Sequence, residues 1–278
     1  MIPRRAFLAT GAAALVLPRV AWARESRLVF PVSLEQGKLV VGHAPPGTRV
    51  TVDGKRVRVS DDGAFVFGFA YNRTRPVRVK ARYADGTSEM RALTPKTRTY
   101  KTQRISGLPQ RLVTPPPKDI ARIHREHARI FRARKRDTAG VGFAEPFEWP
   151  FPGIVSGVYG SRRIDNGTPM APHLGFDIAA PAGTPIHAPA DAVVSICDMY
   201  FLEGGFTLLD HGHGVSTCYL HQSKRMVKVG DKIARGQVIG LVGQTGRATG
   251  PHTHWGMNWF QIKLDPSLST PTPLPPRS

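Results

Sequence analysis

The chain is poor in cysteine and has no long apolar runs. Two cysteines in 278 residues exclude a disulfide framework and an all-cysteine zinc site, so any metal must be held mainly by histidine and carboxylate. No stretch approaches the roughly 18 apolar residues of a membrane-spanning helix, so no span is expected in the mature part. The His-Glu-x-x-His motif is absent, which excludes the helix-borne zinc site with its glutamate base. Acidic residues are scarce at the front. Residues 1–23 carry three arginines, residues 24–116 carry 18 basic and 7 acidic side chains, and residues 117–140 carry 8 and 3. Residues 141–278 balance at 10 and 10. A cationic front half suits a polyanionic surface such as nucleic acid, anionic lipid or an anionic wall polymer. The bland reading is compositional, because 28 arginines stand against 11 lysines. Glycine and proline are plentiful, at 28 and 25, which fits many turns and argues against a helical bundle.

Residues 1–23 read as a charged start, a short apolar run to Leu17 and an Ala21-Trp22-Ala23 cleavage site. That is an export signal too short to span a bilayer stably. Arg4-Arg5 before Phe7-Leu8 resembles a twin-arginine signal, with Pro3 where Ser or Thr is usual; an ordinary secretory signal is the other reading. Either way the mature protein is expected to be exported, to the periplasm or cell envelope.

Residues 24–100 alternate short apolar stretches with Asp53-Gly54, Asp62-Gly63 and Asp85-Gly86, which predicts a small β-sandwich. Residues 101–140 form a connector with an Arg-rich helix over 120–136. Asp119 is expected as its N-cap, and Ile120, Ile123, His127 and Ile130 recur at helical spacing. Residues 141–265 turn to strands, glycines and seven of the ten histidines. The proline-rich tail, 266–278, is expected to be extended or disordered. The fold class is therefore mainly β. Cys197 and Cys218 are expected on strands separated by a third, which favours two buried thiols over a bridge.

Three segments carry the chemistry: Pro172-His173 through Asp177-Ile178, Tyr219-Leu220-His221, and Gly250-Pro251-His252-Thr253-His254-Trp255. On strands, residues two or four apart share a face. His173 would then lie with Asp177, His252 with His254, and Tyr219 with His221. Three His or carboxylate ligands plus an open position are what a catalytic zinc needs. His211 and His213, between glycines, are read as turn residues, and His187, Tyr159 and Trp255 as structural. Arg162, Arg163 and Asn166 are read as solvated hairpin residues ahead of the first ligand, with contact to a substrate carboxylate as the other reading.

His-x3-Asp, then Tyr-x-His, then Gly-x-x-Thr-Gly-Pro-His-x-His resembles the lysostaphin/LytM-type zinc endopeptidases of peptidoglycan. Ala180-Pro181-Ala182-Gly183-Thr184-Pro185 and Gly236-Gln237-Val238-Ile239-Gly240 fit the same family, over roughly residues 147–265. The resemblance implies an antiparallel sheet with the metal over a groove. It implies one zinc held by His173, Asp177 and His254, and His221 and His252 as the catalytic pair. The implied activity is hydrolysis of peptide bonds in peptidoglycan stems or cross-links. The charge of the front half is then expected to hold the protein near anionic wall polymers, and no nucleic acid partner is expected. A non-catalytic wall-binding regulator of cell-wall hydrolases is the alternative. Thr253 and Gln222 depart from the family's usual leucines; Thr253 should point away from the metal, and Gln222 could alter the cleft rim.

Overall fold

The computed structural model describes residues 26–271 and 273. The export-signal reading of residues 1–23 lies outside the described residues, as does most of the tail. Six strands build the front: β1 (Leu39–His43), β2 (Arg49–Val52), β3 (Lys55–Val57), β4 (Ala64–Gly68), β5 (Val77–Arg82) and β6 (Ser88–Leu93). β1 pairs with β4, and β3-β2-β5-β6 form the second sheet. β5 alternates strictly, with Val77, Val79 and Ala81 inward. β4 is buried at every position. Its Phe65 and Phe67 enter the front core with Val40, Val50 and Val79. Its Ala64 and Val66 face Phe143, Phe147, Met257 and Leu264 of the following unit. One strand thus belongs to two cores, which explains its unbroken apolar run. Gly68 permits the close approach, because a Cβ there would lie 2.6 Å from Leu264 Cδ2.

The connector contributes β7 (Thr102–Ile105), α1 (Gln110–Val113) and α2 (Pro117–Ala133). Asp119 is not the N-cap. Pro116 takes that place and Pro117 opens the helix, since its fixed φ and missing N–H suit the first turn. The Asp119 carboxylate instead pairs with Arg111 Nε at 2.7 Å. The docked face of α2 carries Asp119, Ile123, Glu126 and Ile130, while Ile120 is 40% exposed. Glu126 accepts from the Phe201 N–H at 2.9 Å and from Arg122 Nε at 2.7 Å, so its buried carboxylate is satisfied.

The remaining strands are β8 (Ile154–Gly157), β9 (Arg162–Asp165), β10 (Thr168–Pro169), β11 (Phe176–Ala179), β12 (Pro185–His187), β13 (Ala192–Tyr200), β14 (Gly204–Gly212), β15 (Val215–Gln222), β16 (Lys224–Arg225), β17 (Lys232–Ile233), β18 (Val238–Leu241), β19 (His252–Trp259) and β20 (Ile262–Leu264). The large antiparallel sheet runs β17-β13-β14-β15-β19-β11-β8, with β20 beside β19. One face packs with the β12-β18-β16 sheet around Phe176, Ile178, Leu209, Tyr219, Trp255 and Ile239. On the other face Ile196, Phe206, Leu208 and Cys218 lie under Ile130 of α2. The rest of that face, along β19 and β11, is a groove. The protein is mainly β, with a front sandwich, a connecting helix and an antiparallel sheet. Its tail begins as a packed turn, Pro266–Leu268, in which the Asp265 carboxylate accepts from the Ser267 N–H. Cys197 and Cys218 are free thiols on strands separated by β14.

Candidate metal centre and active site

Register brings the site together. β11 pairs with β19 so that Asp177 opposes His254 and Ala179 opposes His252, and β15 pairs so that Leu220 opposes His254. Directly opposed residues share a face, so Asp177, His252 and His254 all look into the groove. Thr253 points the other way and is fully buried. His173 arrives from the loop before β11.

His173 Nε2, His254 Nδ1 and Asp177 Oδ1 form a near-equilateral triangle with edges of 2.8, 2.9 and 2.9 Å. Among the described residues this is the cluster able to hold a metal ion. The His173 Nδ1–H donates to the Val158 carbonyl at 3.2 Å, which turns the Nε2 lone pair toward the triangle. Two imidazoles and a carboxylate match the three-ligand zinc set, and edges need open only to roughly 3.3 Å for tetrahedral bonds of ~2.05 Å. Burial pushes the Asp177 carboxyl up, but His173 and His254 outweigh it and hold it well below the usual range. Burial lowers His254 to about 4. Arg163 Nη2 donates to Asp177 Oδ2 at 2.5 Å, leaving Oδ1 for the triangle. From the sequence Arg163 reads as a hairpin residue near the site. The available signal was its place on β9, just before the Asn166-Gly167 turn at φ 47° and 82°.

His221 and His252 lie beside the triangle, their rings 4.7 Å apart. Tyr219 does not share their face: it is fully buried in the core with Trp255. His221 reaches the groove because its φ is +66°, inside a bulge where β15 shifts register against β14. A non-glycine residue there is uncommon and marks a locally constrained site. The bulge also sends Gln222 inward, where Oε1 accepts from Thr207 Oγ1 at 3.2 Å, so it does not form the rim. The Nδ1–H of His221 donates to the Thr245 carbonyl and that of His252 to the Gly250 carbonyl, at 2.8 and 2.9 Å. Each Nε2 is therefore the free, basic nitrogen. Burial, then His252 and His254, lower His221 to about 3.

The other histidines are elsewhere. His213 sits in a turn at φ 49°. His211 is a buried strand residue bonded to the Asp191 carbonyl and Thr217 Oγ1 at 2.8 and 2.7 Å. His187 bonds the Gly236 carbonyl at 2.8 Å, and His127 of α2 pairs with Glu203 at 3.1 Å.

Peptidase family M23 matches residues 171–266, which hold His173, Asp177, His221, His252 and His254, while Arg163 precedes them. A crystal structure of a candidate M23 peptidase from Pseudomonas aeruginosa is 32% identical, with 85% of this chain and 94% of that one covered and a TM-score of 0.64. The peptidoglycan DD-endopeptidase ShyA of Vibrio cholerae is 44% identical over 102 residues, 36% of this chain and 24% of its own. The DD-carboxypeptidase/endopeptidase Mpg of Neisseria meningitidis is 40% identical over 102 residues, with the same shares. The chain thus spans about a quarter of the length of these curated relatives.

Proposed function

The chain belongs to peptidase family M23, and from that premise we infer that it is a zinc-dependent endopeptidase cutting peptide bonds in peptidoglycan stems or cross-links. The observation that carries this reading is the triangle of ligand atoms at 2.8–2.9 Å with a second histidine pair at its side. In this reading His173, Asp177 and His254 hold the ion, and His221 and His252 act on the substrate. Zinc held there supplies Lewis acidity, polarising the scissile carbonyl and lowering the pKa of a water molecule. One histidine Nε2 takes the proton of the attacking water; the other stabilises the developing oxyanion or protonates the leaving amine. The Thr245 and Gly250 carbonyls hold the Nδ1 protons of both rings, so the base acts through a bare Nε2, and the ring that stabilises the oxyanion or protonates the amine acts as an imidazolium with a proton on Nε2 as well. The D,D cross-link, named for the Vibrio relative, is the bond we assign. The protein works in the periplasm or cell envelope, and its cationic front half holds it to anionic wall polymers.

The test is digestion of purified sacculi by the zinc-loaded protein, with mass analysis of the fragments. Wild type releases cleaved stems. His173→Ala loses both zinc and cleavage. His252→Ala keeps zinc and loses about 10²–10⁴-fold in rate. Binding to the same sacculi weakens as salt rises. Intact walls with zinc present would favour the non-catalytic wall-binding regulator.

A further inference from the structure

Beyond the metal ligands the groove continues under α2. Alternate residues of β19 face it: His252, His254, Gly256 and Asn258. Lys263 of β20 directly opposes Asn258 and shares that face. At ~3.4 Å per residue, Asn258 lies roughly 14 Å along the strand from His254. A cavity of about 280 Å³ spans this distance, bounded by His254, Gly256, Asn258 and Lys263 on the sheet side and by His127 of α2 and Arg134 at its C-cap. Its floor at Gly256 is bare, and a Cβ there would lie 2.6 Å from Cys218 Sγ.

Three buried polar atoms of this cavity, Asn258 Nδ2, Arg134 Nε and Glu203 Oε2, lack a partner. Asn258 is 2% exposed, and its Nδ2 has no partner. Arg134 Nε is also buried without one, and Arg134 Nη2 reaches only the Cys218 thiol at 3.6 Å. Among the described residues no ion pair includes Lys263 or Arg134. Lys263 is an exposed residue at the cavity's edge; desolvation and then the nearby Arg134 push its ammonium down, with Glu203 pulling weakly the other way. Glu203, at the far side, is engaged by His127 at 3.1 Å, with Oε2 unpartnered. Against that single carboxylate stand Arg134, Lys263 and His127.

We propose that this cavity is the subsite for a free carboxylate of the peptide stem, with the connector helix as one wall of the binding groove. The proposal rests on the endopeptidase reading above. Two cations and the Asn258 amide line this one cavity, and all three are donors that a carboxylate can accept from. Glu203 Oε2 is free to accept a peptide N–H of the same ligand. Ile130 and Leu220 line the apolar part. A peptidoglycan stem supplies the matching chemistry, because its γ-linked glutamate and its diamino acid each leave a carboxylate a few residues from the cross-link.

The experiment uses the zinc-loaded full chain and soluble cross-linked stem dimers in which the glutamate and diaminopimelate carboxylates are amidated one at a time. Amidating one of them raises the wild-type KM about ten-fold, the size of one charge-assisted hydrogen bond. Lys263→Gln abolishes that difference and Lys263→Arg keeps it. Equal KM for all substrates in the wild type, or an undiminished preference in Lys263→Gln, overturns the subsite. If no dimer is cut, the endopeptidase reading is what fails, and calorimetric titration with the same peptides decides the subsite separately. Binding weakened by amidation in wild type but not in Lys263→Gln supports it; equal binding overturns it.

Discussion

Two histidines of the large sheet, His211 and His221, are both buried, and burial is the main cause that holds each neutral. His221 enters the groove only through a left-handed backbone step, φ +66°, that strand alternation does not foretell. Hence Tyr219-Leu220-His221 could be read as a site, while the face of Tyr219 could not. His211 is held neutral by its surroundings: burial lowers it to about 4, against the upward pull of the Asp191 carbonyl. Its folded pKa lies below its unfolded one, so its contribution is complete above about pH 6.5 and is lost as pH falls toward about 4. A shift of this size corresponds to at most about 3 kcal/mol. Denaturant titrations at pH 7.5 and pH 5 should show wild type losing more stability than His211→Gln over the same interval. Equal losses would mean that the imidazole is not the group responsible.

At the scale of elements, the β9–β10 hairpin does more than turn the chain. It aims Arg163 at Asp177 Oδ2, and a group that fixes a ligand's outer oxygen tunes the metal site it serves. Arg163→Gln should therefore weaken zinc binding about 10–100-fold, with Arg163→Lys intermediate, measured by competition with a chromophoric chelator. An unchanged zinc affinity would reduce Arg163 to a packing residue. Much of this level was legible in advance. Asp-Gly pairs marked the front hairpins, and the resemblance named His173, Asp177 and His254, whose donor atoms lie 2.8–2.9 Å apart. What escaped was tertiary. Phe65–Phe69 reads as one apolar strand, but nothing local says that its two faces serve different cores. Asp119 reads as an N-cap and the periodicity leaves Glu126 off the apolar stripe, yet the ion pair with Arg111 and the Phe201 N–H place both on the docked face. Polar partners far apart in sequence decide such positions, and periodicity does not report them.

The whole molecule is joined more tightly than its alternating composition suggests. β1 and β4 are core for the front sandwich and for the peptidase sheet alike. At the edge of that junction Arg98 Nη1 donates to Asp265 Oδ2 at 2.8 Å and to the Gln36 carbonyl at 3.1 Å. Asp265 is 1% exposed, and its other oxygen accepts from Ser267. Removing the guanidinium leaves a buried carboxylate with one partner side chain fewer, a loss of about 2–3 kcal/mol once Arg98's partial exposure is allowed for. Arg98→Ala should then lower the melting temperature by several degrees, at roughly 2–4 °C per kcal/mol for a chain of this size. Because the two units share a strand's worth of core, calorimetry should record one transition that moves as a whole. Two separated transitions, with only the front one shifted by Arg98→Ala, would show that the shared core does not couple the units.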